Sequence, residues 1–384
     1  MDVARNMAFE NLKVALVHDW LVSQRGGEHA LLQIAKLFPD APIFTLAHKS
    51  GSVAPEIESH PIVTSFIQNL PGAPNRFRPY LPFFPRAVES FDLSGYDLIV
   101  STSHCVAKGV RMRAGQKHLT YVHTPMRYIW DQLDMYLPKI PGREYLGEVA
   151  RLLTGSLRRW DVESAQRPSH IVANSNFVAQ RIEEYWGREA QVIHPPVDTT
   201  FFSSQPDSSS RSGFLVVSAL VAYKSVQLAV DWATKYNEHL AVYGDGPELK
   251  NLKARAGKKI SFVQGAPRAD IAQAYSNAEA LLFCGTEDFG IVPVEAMAAG
   301  CPVVALNRGG CRESVIGEGS VATGVFFDRP NTDALQGAVQ QLRHRRLNDG
   351  VFTAKCLKDH AEQFSIGVFL KRINQALVDL LESG

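Results

Sequence analysis

The fold is decided by one stretch of sequence, EDFGIVPVEAMAAG, which covers residues 287–300. The apolar run 280–284 before it predicts a buried parallel strand, and the run 293–299 predicts a helix that Gly300 ends. Another strand is expected over residues 301–306. The stretch therefore joins a strand to a helix at the carboxyl end of a parallel sheet, where open α/β sheets bind ligands.

Two carboxylates in this stretch, Glu287 and Glu295, stand eight positions apart. Backbone N–H groups of Phe289, Gly290 and Ile291 are expected at a helix N-terminus, where they can hold phosphate or hydroxyl oxygens. A carboxylate can accept two hydrogen bonds from a ribose diol, and bonds to a charged group contribute roughly 1.5–3 kcal/mol. The pattern favours a nucleotide-sugar site over the alternative, an acidic loop followed by a Glu that favours the helix dipole.

Composition excludes several classes of protein. Lys and Arg number 40 and Asp and Glu 39, so net charge gives no reason to expect nucleic acid or another polyanion as partner. The five cysteines among the 384 residues form no CxxC pair, which favours a reducing cytosol over a disulfide framework or a zinc site. No run approaches the ~20 apolar residues of a membrane span, so we expect a soluble or peripheral protein.

Strand and helix patterns alternate twice along the chain, which predicts α/β architecture with two doubly wound, Rossmann-like domains. The expected boundaries are an N-terminal domain over residues 1–195, a Pro- and Ser-rich hinge over 196–212, a second domain over 213–365 and a final helix over 366–384. The turn at Gly244 and Gly246 lacks the third glycine of a dinucleotide site, and no Walker lysine motif is present.

Four further residues are candidates from residue type and place. Gly26 and Gly27 are expected in the first strand-to-helix loop, where they allow close approach to a phosphate or sugar. His123 follows the apolar run 119–122, and Lys224 is expected to begin a helix, where a cation can neutralise a leaving diphosphate. The alternatives are a plain turn, a hydrogen-bonded core histidine and a solvated lysine.

The spacing of Glu287 and Glu295 resembles the Glu-x7-Glu signature of the family 4 retaining glycosyltransferases, which have the two-domain GT-B fold. The resemblance covers nearly the whole chain and is closest to bacterial mannosyltransferases that build O-antigen and exopolysaccharide. The other segments that carry it are VHDWL (17–21), RGGE (25–28), YVHTPMRY (121–128), VANS (172–175) and IHPPVD (193–198).

This resemblance implies that the two domains face a cleft, with the nucleotide-sugar in the C-terminal domain and the acceptor on the N-terminal side. It implies no metal and no cofactor beyond the nucleotide-sugar. The catalytic residues it implies are His123 on the primary hydroxyl of the donor sugar, Glu287 on sugar hydroxyls and Lys224 on the diphosphate. The implied donor-binding residues are Glu295 on the ribose, Phe289, Gly290, Ile291, Lys224, Gly265 and Gly27. The implied acceptor-side residues are Gly26, Arg127, Tyr128 and Trp130.

The sequence departs from the family pattern near Lys224. Many relatives carry Arg five positions earlier, where this chain has Ala219, and a basic residue after the lysine, where it has Ser225. Fewer cations are therefore expected at the diphosphate, which bears on catalytic power or donor identity.

Residues 75–86 interleave cations with aromatic residues, and their three prolines argue against a regular helix. The segment predicts either a loop that contacts an anionic bilayer, where each basic residue contributes about 1 kcal/mol, or an ordinary packed loop. Nearby basic residues support the first reading: Arg143, Arg151, Arg158, Arg159 and Arg167. We therefore expect a protein at the inner face of the cytoplasmic membrane, acting on a polyprenyl-diphosphate-linked saccharide.

The resulting hypothesis is a retaining hexosyltransferase, with mannose from GDP-mannose as the expected donor sugar. The alternatives are a UDP-hexose-dependent transferase of the same fold, a nucleotide-sugar 2-epimerase and a phosphorylase, for which no suitably placed pyridoxal-phosphate lysine is found. A non-catalytic partner in a polysaccharide assembly complex is a further alternative, supported only by Ala219.

Overall fold

The computed structural model describes residues 9, 11–131, 145–206 and 210–383. The chain divides into two compact units, residues 1–194 with 370–384 and residues 195–369. Parts of three predicted features lie outside the described residues: Arg143, the side chain of Arg151 and residues 207–209 of the expected hinge.

Unit 1 is built on a parallel sheet of seven strands in the order β3-β2-β1-β4-β5-β6-β7. The order reverses between β1 and β4, which pair along their whole shared length from Val14 with Leu98 to His18 with Thr102. Nearly every residue of the central strands is buried, as a parallel sheet covered on both faces requires. The strands are β1 Val14–His18, β2 Ile43–Thr45, β3 Ile62–Thr64, β4 Leu98–Ser103, β5 Lys117–Val122, β6 His170–Ala173 and β7 Gln191–Val192.

Unit 2 repeats this arrangement with six parallel strands in the order β10-β9-β8-β11-β12-β13. Here the order reverses between β8 and β11, where Phe214 pairs with Ala280 and Leu215 with Leu281. Both sheets are therefore doubly wound, and each has a point where the order reverses and a crevice can open. The strands are β8 Phe214–Val217, β9 Leu240–Tyr243, β10 Ile260–Val263, β11 Ala280–Phe283, β12 Val303–Leu306 and β13 Gly324–Phe327.

The helices between the strands supply the covering layers. Those of the N-terminal half are α1 Gly26–Ala35, α2 Pro55–Glu58, α3 Phe84–Glu89, α4 Tyr145–Ser164 and α5 Asn176–Trp186. They are followed by α6 Thr199–Ser203, α7 Val226–Lys235, α8 Leu249–Arg255, α9 Arg268–Asn277, α10 Ile291–Ala298, α11 Cys311–Ser314, α12 Thr332–Asn348, α13 Ala354–Ala361 and α14 Ile366–Glu382.

Several sequence-based boundaries are corrected by the structure. Gly26 and Gly27 are the first two residues of α1 rather than loop residues, because Arg25 already acts as the N-cap. Lys224 ends a short 3₁₀ turn instead of beginning a helix, since the left-handed Ser225 (φ 52°) separates it from α7. Within the expected hinge, residues 199–203 form α6, and Phe202 of that helix is buried in the core of unit 2.

Residues 78–86 of the proline-rich segment are helical, contrary to the prediction. The segment forms a 3₁₀ helix over Arg78–Phe83 and then enters α3. Pro79 and Pro85 each occupy one of the first two positions of their helix, where a missing N–H costs little. Phe77 and Phe84 are buried, and each ring packs against Trp20 at 5.2 and 6.2 Å between centroids.

Candidate active site

The reversal point of the unit 2 sheet brings together two of the predicted residues. Lys224 follows β8, and Glu287 follows the neighbouring strand β11. A small cavity between the two strand ends is lined by both side chains, together with Ser218 and Gly285. The Nζ atom of Lys224 lies 2.5 Å from Oε1 of Glu287. A cation and a carboxylate thus meet where doubly wound sheets bind ligands.

Gly285 explains how the lysine comes so close to the glutamate. A Cβ atom at this position would lie 2.8 Å from the carbonyl oxygen of Lys224, so a larger residue would push the two loops apart. Nothing in the sequence marks Gly285 as part of the site, because the contact joins residues far apart in the chain.

A second glycine contact supports the loop of Glu287 from the other side. Gly310 donates its N–H to the carbonyl oxygen of Glu287 at 2.9 Å. A Cβ atom on Gly310 would lie 2.1 Å from the carbonyl oxygen of Asp288, and one on Gly309 would lie 2.5 Å from that of Glu287. The pair Gly309-Gly310 after β12 was the only sequence signal for this support.

The N-terminus of α10 directly follows the loop that carries Glu287. Gly290 has φ 87°, a left-handed conformation that favours glycine, and it precedes the first helical residue, Ile291. Phe289 is buried, and its ring packs 5.5 Å from that of Phe364. The opening N–H groups of a helix have no intrahelical acceptor, so this end of α10 can bind an anion.

Glu295 lies one turn into α10 and is largely buried. The hydroxyl group of Tyr275 donates a hydrogen bond to Oε2 of Glu295 at 3.1 Å. Burial raises the pKa of Glu295 to about 7, although the Tyr275 bond and the positive charge of Arg268 act in the opposite direction. The carboxyl group is therefore close to its titration point at neutral pH, and its second oxygen can accept a ligand hydroxyl.

The remaining unit 2 candidates lie at the surface. Gly265 lies two residues after β10 in a left-handed conformation, and a Cβ there would meet no atom within 4 Å, so the backbone is open to a ligand. Ala219 is exposed five residues before Lys224 and supplies no charge.

In unit 1, His123 and Gly27 lie together at the carboxyl ends of the strands. A Cβ atom on Gly27 would stand 3.5 Å from Nε2 of His123 and 3.7 Å from Cε1 of His18, so the glycine lies directly beside both rings. Burial lowers the pKa of His123 to about 3, with the neighbouring His104 and His18 acting in the same direction. His123 is thus neutral at physiological pH. Gly26 precedes Gly27 in the first turn of α1.

His18 and Asp19 have distinct structural partners. His18 lies between Thr102, whose Oγ1 is 2.6 Å from Nδ1, and Glu28, whose Oε1 is 3.7 Å from Nε2. Asp19 accepts four backbone N–H groups from the loop that follows β4, from His104, Cys105, Val106 and Ala107.

The predicted acceptor-side residues of unit 1 differ in their contacts and burial. Trp130 stacks on Tyr185 with the ring centroids 4.6 Å apart and donates its indole N–H to the buried Asp161 at 2.8 Å. Arg127 and Tyr128 are each partly buried, and Tyr128 packs against the core of unit 1. Trp130 therefore has a clear packing role, whatever it contacts in a complex.

Two family models match the chain. The model for Glycosyltransferase Family 4 matches residues 25–201, and the model for Glycosyl transferases group 1 matches residues 198–350. Among solved structures, HepE from Anabaena in complex with UDP has a TM-score of 0.68 at 20% identity, covering 96% of this chain and 100% of that one. Sucrose-phosphate synthase from Thermosynechococcus elongatus has a TM-score of 0.69 at 16% identity, with coverage of 96% and 100%. These likenesses establish the fold.

Curated relatives match shorter stretches of the chain. A GDP-mannose-dependent alpha-(1-6)-phosphatidylinositol monomannoside mannosyltransferase from Mycolicibacterium smegmatis is 28% identical over 198 residues, covering 44% of this chain and 51% of the relative. The alpha-1,3/1,6-mannosyltransferase ALG2 from Mus musculus is 33% identical over 95 residues, covering 25% and 22%. The chain spans about half the length of the first of these relatives and less of the second.

Proposed function

The chain belongs to the family 4 glycosyltransferases of the GT-B fold, and from this premise we propose that it is a retaining enzyme that transfers mannose from GDP-mannose to a polyprenyl-diphosphate-linked saccharide. The observation that carries the proposal is the contact of Lys224 with Glu287 at the reversal point of the unit 2 sheet. A nucleotide-sugar needs a cation for its diphosphate and an acceptor for its sugar hydroxyls, and this pair supplies both.

Each donor-binding residue has a role that suits its surroundings. Glu295 accepts the ribose hydroxyls with the oxygen that Tyr275 leaves available. The N–H groups of Phe289, Gly290 and Ile291 at the start of α10 bind sugar or phosphate oxygens, and Gly265 offers its open backbone to the base. His123, neutral and beside Gly27, contacts the primary hydroxyl of the donor sugar.

The reaction follows from these roles. Lys224 stabilises the charge that develops on the departing diphosphate, and the N-terminus of α10 adds its dipole. Together they do the work that a divalent cation does in other transferases, so we propose that no metal is required. The acceptor attacks on the face that the diphosphate leaves, and the donor phosphate takes the proton. No residue is needed as a covalent nucleophile.

The donor nucleotide has two candidates. GDP-mannose is favoured because two curated relatives are named as mannosyltransferases and one of these as GDP-mannose-dependent. UDP-hexose is the second candidate, because HepE, which shares the fold, was solved with UDP-glucose as well as with UDP.

A peripheral place at the inner membrane face is also part of the proposal. Within the described part of the chain, no helix is long and apolar enough to cross a membrane. Phe83 is 54% exposed, and the flanking Arg78 and Arg86 are also exposed, so this part of unit 1 presents an aromatic ring between two cations. Such a surface suits an anionic bilayer that carries the lipid-linked acceptor.

The decisive experiment is a calorimetric titration of the purified protein with GDP-mannose, GDP, UDP-glucose and UDP, with and without Mg²⁺. We expect selective binding of the GDP species, unchanged by the metal. The E295A variant should lose this binding, and the exposed Glu318 provides the control E318A. Selective binding of UDP species would overturn GDP-mannose as the donor in favour of a UDP-hexose. If the donor alone yields an epimeric sugar in the absence of acceptor, the enzyme is an epimerase and not a transferase. Donor binding with no turnover on any lipid-linked saccharide would favour a non-catalytic partner in a polysaccharide assembly complex.

A further inference from the structure

A histidine that sequence analysis did not select, His104, lies at the reversal point of the unit 1 sheet. It directly follows β4, the strand that pairs with β1 where the order reverses. Its ring packs edge-on against Trp20 at 4.4 Å and stands 5.9 Å from the ring of His18 and 6.4 Å from that of His123. His104 therefore shares the end of the sheet that also holds His123.

The loop that carries His104 is held in one conformation by buried charges. Asp19 is fully buried and accepts the N–H groups of residues 104–107 at 2.6 to 2.9 Å. At the other end of the loop, the buried Lys108 lies 2.6 Å from Asp161. A buried carboxylate is costly unless it is fully hydrogen-bonded, so this loop is built to be rigid.

The orientation of the His104 ring follows from Asp19. The Nδ1 atom lies 3.1 Å from Oδ2 of Asp19, where a proton on Nδ1 is attracted and a lone pair is repelled. Nδ1 thus faces the buried Asp19, and the His104 side chain as a whole is 22% exposed. Nε2 is the ring nitrogen that remains to accept a hydrogen bond from a ligand.

Two neighbouring ring nitrogens also lack a hydrogen-bond partner in the described part of the chain, although one of them lies 3.7 Å from Glu28. Among the described residues, Nε2 of His18 and Nε2 of His123 are buried and have no hydrogen-bond partner. Gly27 lies beside both rings and places no side chain against them. Buried polar atoms are usually satisfied, so these unsatisfied ones point to a ligand with hydroxyl groups.

From this arrangement we propose that His104, oriented by Asp19, accepts a hydrogen bond at Nε2 from a hydroxyl group of the acceptor saccharide. The proposal rests on the proposed function, since it concerns the second substrate of the same transfer. It assigns to His104 the positioning of the acceptor in unit 1, apart from the donor residues of unit 2.

The protonation state of His104 agrees with this role. Burial lowers its pKa; Asp19 and Glu28 oppose this effect, and His18 and Arg25 add to it. The imidazole is thus neutral at physiological pH and has a lone pair to offer. The charged or titratable groups that face it are Asp19, His18, Glu28, Arg25 and His123.

The kinetic test uses lipid-linked saccharides extracted from cells that lack this enzyme, with labelled GDP-mannose as donor. We expect H104A to lower kcat/KM for the extract about tenfold to a hundredfold while donor affinity changes less than about twofold. H104Q, whose amide oxygen can replace Nε2 as acceptor, should retain most of the activity. H170Q is the control for a histidine substitution, because His170 is the first residue of β6 and lies at the amino end of the parallel strands, away from His104.

The pH dependence separates a substrate contact from a packing role. Wild-type kcat/KM for the extract should fall as the pH drops below the usual histidine range, and H104Q should not show that part of the fall. Unchanged kcat/KM in H104A would overturn the proposal, as would weaker donor binding in that variant.

NMR spectroscopy of the histidine side chains tests the proposal even if no sugar transfer is detected. In protein labelled with ¹⁵N at histidine, the His104 resonances should report a proton on Nδ1 and none on Nε2, and D19N should change that state. A proton on Nε2 in the wild type would refute the assignment. If the wild type transfers no sugar yet His104 has the expected tautomer, the failure lies in the proposed function.

Discussion

The ammonium group of Lys224 lies 2.5 Å from the carboxylate of Glu287, although the two residues follow different strands. The two side chains are 17% and 19% exposed, so solvent reaches the pair. In the substrate-free protein each group satisfies the other. The ion pair thus keeps both side chains oriented before the substrate arrives. A nucleotide-sugar that binds here replaces this contact with contacts to its own diphosphate and hydroxyl groups.

The first prediction concerns this pair. K224M and E287Q should each lower kcat by about a hundredfold or more, because both groups act on the substrate. The free energy of unfolding should change by only about 1 kcal/mol, as for other solvent-accessible ion pairs. Steady-state kinetics and chemical denaturation test this. The matched control is K235M, which breaks the exposed pair of Lys235 with Asp333 in the same unit and should leave kcat unaltered. Near-normal turnover in both variants would refute the site.

The fold could be predicted from local patterns to a large extent. Apolar runs predict strands over residues 240–243 and 260–263, and helix periodicity predicts helices over 226–235 and 268–277; β9, β10, α7 and α9 have these bounds, because both signals are local. Strands β3 and β13 were not predicted, since β3 has only three residues and β13 begins with Gly324, a residue type depleted in strands.

The sequence predicts only some of the residues of the candidate site. Glu287, Glu295 and Lys224 were found by motif, whereas Tyr275, Gly285 and Gly310 were not. Their roles come from contacts between loops that follow different strands, and such contacts leave no pattern in the chain. Asp19 illustrates the same point, because its carboxylate binds backbone N–H groups 85 to 88 residues away, and any four residues could supply them.

The second prediction adds a cation at Ala219, the position where the resemblance to family 4 implies an arginine. A219R should lower the Kd for GDP about threefold to tenfold at low salt, since an added charge-assisted contact to phosphate is favourable but partly screened at an exposed position. Ala222, exposed in the neighbouring turn, gives the control A222R, which should have a smaller effect. Isothermal titration at two salt concentrations measures both. Equal gains in the two variants would mean that only general attraction is at work.

The third prediction tests the support of the Glu287 loop. In G310A the new Cβ would stand 2.1 Å from the carbonyl oxygen of Asp288, so the loop must move. We expect a loss of about 1–3 kcal/mol in the free energy of unfolding, together with a lower kcat. Gly337 in α12 is the matched control, because a Cβ there meets nothing within 4 Å. G337A should stabilise the protein by about 0.5–1 kcal/mol through helix propensity. A G310A protein with wild-type kcat would show that the loop needs no such support.

The fourth prediction uses the titration of Glu295, whose pKa burial raises to about 7 from its ordinary value of 4.5. The folded protein then holds a proton that the unfolded chain releases above pH 4.5, so this residue's contribution to stability is complete below pH 4.5 and is lost as the pH rises to about 7. Ribose hydroxyls need the ionised form, so GDP-mannose should bind about tenfold more tightly at about pH 8 than at about pH 6. GDP-mannose is the better probe, because free GDP titrates in this range itself. In E295Q both dependences should disappear, as measured by titration calorimetry and by denaturant unfolding across the same pH range. An unchanged pH dependence in E295Q would assign the titration to another group.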